Sequence, residues 1–187
     1  IVDTGNIYAP ATAKNCISVG ATENLRSTGG YQQGYGLAWA ADYPALPIKY
    51  DLMSNNISGM AAFSGRGPTA DGRVKPDICA PGTNLISARS HTPTADTGWA
   101  AYNSNYIYWG GTSMSTPQVA GAAALVREYY QREKSTNPSA ALVKATLING
   151  AIDMSPGQYG TGGQRELYPV PDNSQGWGRL NVKQALC

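Results

Sequence analysis

The amino-acid sequence predicts an α/β domain: a mostly parallel sheet flanked by helices. Short apolar runs ending in glycine, "NCISVGAT" (15–22) and "DICAPG" (77–82), read as buried parallel strands. The segment "MSTPQVAGAAALVREYYQRE" (114–133) has high helix propensity throughout. Strands and helices alternate along the chain, the order that builds a parallel sheet with crossover helices.

Taken in order, the first strand is "NCISVGAT", which also carries Cys16. Residues 26–59 follow, rich in Gly, Pro, Tyr and Asn, and read as a long surface excursion. "DICAPG" with Cys79 is the second strand, and "NLISARS" (84–90) and "YIYWGG" (106–111) are two more. In the long helix Pro117 is expected in the first turn, where a missing N–H costs little. Its alanines and Gly121 leave one face bare enough to press against the sheet. A second helix is expected from Pro138 to Asn149, with Asn137 as N-cap and Gly150 at its end. The tail "GWGRLNVKQALC" closes the domain with a strand and a short helix.

With 187 residues, 42% hydrophobic and 14% charged, the chain suits one compact domain with a real core. A net charge of +2, scattered and without Lys/Arg runs, points away from nucleic acid. No apolar run is long enough for a membrane span, and the N-terminus lacks the features of a signal peptide. Twelve tyrosines, one phenylalanine and 22 glycines fit a secreted, loop-rich enzyme. Cys16, Cys79 and Cys187 have no metal-ligand spacing; two read as buried small hydrophobes, and Cys187 is free to bond to another chain. Asn56-Ile57-Ser58 is a glycosylation sequon that matters only in a eukaryotic secreted protein.

The chemistry concentrates in "GGTSMSTP" (110–117). A serine at a helix start sits in the positive end of the macrodipole, and its own N–H is free to hold an oxyanion. Gly110 and Gly111 let a substrate backbone approach. This box resembles the nucleophile box of subtilisin-like serine proteases. "APATAKNCISVGATEN", "FSGRGPTADGRVKPDICAPGTNLISA" and "DNSQGWGRLNV" occur in the order of that family, and the likeness covers nearly all of the chain except 26–59. It is nearest to the large bacterial-type members with a β-barrel after the catalytic domain.

The resemblance implies the C-terminal portion of a subtilisin-like catalytic domain and a secreted endopeptidase. Ser113 is then the nucleophile and the Thr112 hydroxyl supports the oxyanion. Tyr8, Ala9 and Pro10 match one wall of the pocket for the residue before the scissile bond. Trp109 and Gly110, and less directly Phe63, match the leaving-group side. No cofactor is needed for the chemistry. Structural calcium is compatible with the family, yet no acidic cluster has ligand spacing.

A serine hydroxyl needs a base, and the chain has one histidine. That residue, His91, lies in a loop where the family has no catalytic group. "IVDTGNIY" looks like the family's aspartate box, which would make Asp3 the base-orienting acid, but no His-Gly-Thr-His segment follows. Asn6 is likewise set aside, because counting back from "VGATEN" puts the oxyanion asparagine upstream. The aspartate, histidine and asparagine are therefore expected on a segment before Ile1, separated by a cut in an exposed loop. Two other readings stay open: an inactive peptide-binding module, and a serine hydrolase with His91 as base.

Overall fold

The computed structural model describes residues 3–187; Ile1 and Val2, where the aspartate-box likeness and the expected cut begin, lie outside the described residues. Along the chain run β1 (Val19–Thr22), α1 (Tyr35–Ala38), a 3₁₀ turn (Ile48–Tyr50), β2 (Ile78–Pro81), β3 (Leu85–Ala88), β4 (Ala100–Ala101) and β5 (Tyr106–Trp109). Then come α2 (Thr112–Glu133), α3 (Ala140–Asn149) and α4 (Val182–Leu186).

Among the named strands the expected parallel pairing joins β1 and β2, in register from Val19 opposite Ile78 to Thr22 opposite Pro81, and a single parallel bridge adds Arg179 beside Cys79. Gly20 is required there, since a Cβ would stand 2.8 Å from both Cys79 Sγ and Pro76 Cγ. The other strands form an antiparallel sheet in the order β3-β5-β4. The closing strand of the tail is reduced to single bridges from Arg179 to Cys79 and Ile152, followed by α4.

The main core joins Ile78 and Ala80 of β2 to Val119, Ala122 and Val126 of α2 and Val143 and Leu147 of α3. On α2 the inward positions, Ser115, Val119, Ala122 and Val126, follow helical spacing. The bare face is therefore not the one against the sheet. Ala120, Gly121 and Ala124 point outward, and nothing lies within 4 Å of a Cβ built on Gly121. The larger valines win the inward positions because they bury more apolar surface.

Local chemistry corrects three further expectations. Ser139, not Asn137, caps α3: its Oγ accepts from Leu142 N at 3.2 Å. Asn137 Oδ1 instead accepts from Arg127 Nη2 at 3.2 Å, which leaves Pro138 before the helix. Pro117 falls in the second turn of α2, since the helix begins at Thr112. Cys16 is half-buried in a turn before β1, its thiol 3.2 Å from Ala13 O, whereas Cys79 is fully buried and burial pushes its thiol up to about 12.

One carboxylate fastens the core's edge. Asp77 Oδ2 accepts from Ser18 N at 2.8 Å and Lys75 Nζ at 2.6 Å, while Oδ1 meets Lys144 Nζ of α3 at 2.7 Å. It ties together the starts of both parallel strands and a helix.

The excursion at 26–59 has an interior of its own. Tyr35 and Met53 are fully buried and pack with Ala62, Trp39, Tyr43, Phe63 and Trp99. A second anchor is Glu23, with no exposed surface at the end of β1. Its Oε2 accepts from Asn55 N (3.2 Å) and Asn56 N (3.3 Å), and its Oε1 from Gln158 Nε2 (3.2 Å) and Tyr35 Oη (3.4 Å). Asp51 accepts from Gln158 Nε2 at 2.8 Å and Tyr159 Oη at 2.5 Å. Glu166 completes the cluster, 3.5 Å from Arg66.

Burial, then the Asp51 carboxylate, push Glu23 up to about 9, and burial outweighs Arg66 to hold Glu166 at about 7. Asp51 is raised as well, again chiefly by burial. The unfolded chain loses the Glu23 proton near its ordinary value of 4.5, while the folded chain keeps it to about 9. Folding stability is thus complete below that ordinary value and falls as pH rises through the window. The unfolding midpoint is expected to drop between about pH 5 and pH 9. Glu23→Gln, which resembles the protonated acid, is expected to flatten that slope in a thermal-melt pH series.

Candidate active site

The site is organised by the first turn of α2. Its N-cap, Gly111, has φ 142° and ψ 161°, a conformation that glycine alone adopts freely, and contributes no side-chain cap. Of the other helices, α3 and α4 have side-chain caps, from Ser139 and Asn181, while the short α1 has none. The Thr112 and Ser113 N–H groups therefore have no partner among the described residues, and the positive end of a 22-residue helix is left open. Ser113 is exposed at that end.

The turn is held from the strand beneath it. Pro81 O, at the end of β2, accepts from Ser115 Oγ at 3.1 Å and Gln118 Nε2 at 2.6 Å. Gly82 O accepts from Gly111 N at 2.7 Å. A Cβ on Gly82 would meet Ala21 Cβ at 2.5 Å and Ser115 Oγ at 2.6 Å, so strand and helix touch there without room for a side chain. Thr116 Oγ1 donates to Thr112 O at 2.9 Å and Gln118 Nε2 to Met114 O at 2.9 Å, serving carbonyls of the turn that contains Pro117.

Two cavities are lined by the residues just before Ser113, Gly110 and Gly111 in one and Thr112 in the other, and Phe63 lines both. One, of about 380 Å³, is bounded by Asn6, Tyr8 and Thr112 among others. The other, of about 300 Å³, is bounded by Trp39, Asp42, Tyr43, Trp99, Gly110 and Gly111. Tyr8 and Thr112 thus face one cavity and Gly110 the other. Ala9 and Pro10 are exposed in a turn closed by Ala11 N to Tyr8 O (2.9 Å), off the cavity wall. Trp109, opposite Leu85 in the sheet, lines neither.

Among the described residues no basic side chain is hydrogen-bonded to Ser113. The β3–β5 ladder runs from Leu85–Trp109, the end nearest α2, to Ala88–Tyr106, and Arg89 N still pairs with Asn105 O beyond it. His91 lies further out, about 13 Å or more along the strands from the Trp109 level. It lines an exposed hollow with Ser90, Thr92 and Ser104. Asp3 is exposed, and Gly5 N and Asn6 N bond to the Gly67 and Arg66 carbonyls.

Asn6, set aside on sequence, shares the cavity wall with Thr112. Its Oδ1 accepts from Arg66 N at 2.6 Å, so its amide NH₂ is the end left for a ligand. Only its place in "TGNIY", two residues before a cavity residue, could have revealed it. Trp39, Asp42, Tyr43 and Trp99 were also missed, because no local pattern joins residues so far apart in sequence. Among the described residues no group of three His, Cys, Asp or Glu could hold a metal ion. The Glu23–Asp51–Glu166 cluster does not fit calcium either, since its oxygens are engaged by protein donors.

The model of the subtilase family matches residues 1–178. Serine protease AprX of Bacillus subtilis is 40% identical over 123 residues, 63% of this chain and 27% of the relative. Minor extracellular protease Vpr of the same organism is 32% identical over 129 residues, 68% of this chain and 14% of its own length. Among solved structures, the CspB protease of Clostridium perfringens superposes with a TM-score of 0.57 at 25% identity, over 97% of this chain and 28% of that one. The chain thus spans about a quarter of AprX and of CspB, and less of Vpr.

Gly111→Ala forces a side chain into the positive-φ region, at a cost of about 1–3 kcal/mol. It is expected to lower the denaturant midpoint, whereas Gly121→Ala, in open space inside a helix, is expected to raise it by adding up to ~1 kcal/mol of stability. Urea unfolding of the two variants beside the parent checks both signs.

Proposed function

The chain belongs to the subtilase family, and we propose that it supplies the nucleophile of a serine endopeptidase whose histidine and aspartate come from a preceding segment of the same catalytic domain. The observation that carries this reading is Ser113, exposed at an uncapped helix start whose preceding residues line two substrate-sized cavities. The position of His91 supports a base from outside residues 1–187. So does the outer face of α2, where Leu125 is 50% exposed beside Gly121 and Ala124, an apolar surface for that segment to cover. Whether the segment is joined or separated by processing, the chemistry is the same.

The incoming histidine takes the Ser113 proton as Oγ attacks the peptide carbonyl, then gives it to the leaving amine. Water hydrolyses the acyl-enzyme by the reverse sequence. The Ser113 N–H and the Thr112 hydroxyl receive the oxyanion, together with one asparagine amide. Asn6 is the candidate for that amide within this chain, in place of the upstream residue the sequence favours. Tyr8 borders the cavity for the residue before the scissile bond, and Gly110 the leaving side. Secretion is the matching location, in keeping with the extracellular relative.

A fluorophosphonate probe is expected to label Ser113 in the native assembly and to fail with Ser113→Ala. An assembly that leaves Ser113 unlabelled would sink the catalytic reading in favour of a peptide-binding module. Asn6→Ala is expected to lower kcat by about 10²–10³-fold if its amide holds the oxyanion; an unchanged kcat assigns that task upstream. Met114, half-buried next to the nucleophile, makes turnover sensitive to peroxide through sulfoxide formation. Met114→Ala is expected to survive a peroxide dose that inactivates the parent.

A further inference from the structure

The cavity beside Gly110 has a composition that the nucleophile box does not explain. Trp39, Asp42 and Tyr43 come from the excursion at 26–59, the Gly-, Pro-, Tyr- and Asn-rich stretch. Phe63 and Trp99 come from the body of the domain. Trp39 and Trp99 stand 6.0 Å apart with planes tilted by 56°, Trp39 and Tyr43 meet nearly edge to face at 6.3 Å, and Phe63 meets Trp99 in the same way at 6.4 Å. Tyr31 stacks on one face of Trp99 at 5.2 Å, and the rings that line the cavity bring it aromatic surface, whose faces carry negative charge density.

Asp42 adds a full charge. It is exposed, and its carboxylate belongs to no ion pair among the described residues, while no Lys or Arg lines the cavity. Arg66, which lines a different hollow, is paired with Glu166. Electron-rich rings with one carboxylate at the rim make an environment for a cation with a flat or extended apolar stem. A guanidinium fits better than an ammonium, because it stacks on rings and pairs with a carboxylate at once.

We propose that this cavity is a leaving-side substrate pocket, built by the excursion, that selects a basic side chain, arginine ahead of lysine. The proposal rests on the endopeptidase reading and deepens it. Phe63 divides the cavity from the one bordered by Tyr8, so residues on the two sides of the scissile bond enter separate compartments. A neutral aromatic or leucine side chain also finds apolar walls there, but leaves Asp42 without a partner. A glutamate side chain meets Asp42 as a like charge.

The test uses the native assembly and quenched-fluorescence peptides that differ only in the first residue after the scissile bond: Arg, Lys, Leu, Phe or Glu. Arginine is expected to exceed leucine by about tenfold in kcat/KM, the scale of a cation–π contact joined to an ion pair, with glutamate lowest. Asp42→Asn is expected to bring the arginine-to-leucine ratio towards one, and Asp42→Lys to reverse the order of arginine and glutamate. A flat parent profile, a preference for phenylalanine, or ratios indifferent to both Asp42 variants would overturn the proposal. Ser113 labelling and cleavage of any of these peptides keep the protease reading standing even then. Should Ser113 not label, tryptophan fluorescence titrated with arginyl-glycine amide and leucyl-glycine amide reads the pocket without turnover. Tighter binding of the arginyl peptide, lost in Asp42→Asn, upholds the cation pocket; equal binding overturns it.

Discussion

The meeting of the end of β2 with the start of α2 is the constraint on which the site depends. Three hydrogen bonds, from Ser115, Gln118 and Gly111 to the Pro81 and Gly82 carbonyls, seat the helix on the strand. The seat replaces what a side-chain cap would have supplied, an interaction of about 1 kcal/mol. A serine or aspartate at position 111 could satisfy an N–H of the first turn, but it would also occupy the donors that an oxyanion needs. Glycine leaves them vacant, and the strand beneath prevents the uncapped turn from fraying. Fixing Ser113 and keeping its surroundings open are therefore solved by one arrangement.

The excursion shows how a segment with weak local preferences acquires one shape. Its glycines and prolines favour turns, but fixing each residue costs about 1–2 kcal/mol of backbone entropy. Burial of Tyr35 and Met53 offsets part of that cost. The polar anchors decide which shape results: Asn84 holds the Tyr31 backbone through two bonds of 2.9 and 2.8 Å, and Glu23 holds the amides of Asn55 and Asn56. Trp39, Asp42 and Tyr43 lie between these anchors in the chain. Their position beside Gly110 thus depends on a buried carboxyl group that keeps its proton well above the ordinary carboxylate range. Ionising Glu23 removes none of the bonds it accepts, but it puts a second buried charge beside Asp51 and so costs folding stability.

Features written in short-range patterns were legible in the sequence, and features made by distant residues were not. The two parallel strands, β3 and β5 as strands though not their antiparallel pairing, the long helix and Ser113 at its start all follow from local apolar runs and one glycine-rich box. The cap of α3 was misread because Asn137 and Ser139 are both competent caps, and Arg127, one helix away, claims the first. The inward face of α2 was misread because small residues permit close packing but do not demand it, whereas Val119 and Val126 gain more from burial. Asp42 carries no local signature at all, and Asn6, weighed for the oxyanion on sequence, was set aside by counting. Their significance is positional, since each borders a cavity with residues dozens of positions away.

In the proposed enzyme the base comes from another segment than the nucleophile, and that has a physical consequence for this architecture. A serine hydroxyl without a base is close to inert, even with the positive end of a helix behind it. The surface left uncovered on α2 is apolar and small-surfaced, with Leu125 half exposed and open space above Gly121. A segment that covers this face buries apolar area and approaches the helix backbone closely, the geometry that small residues allow. Burying the rest of Leu125 alone contributes about 1 kcal/mol. In the proposed enzyme, the segment that gains this contact also carries the base. Completion of the hydrophobic core and activation of Ser113 are then one event, and an incomplete assembly holds its nucleophile in the right place without being able to use it.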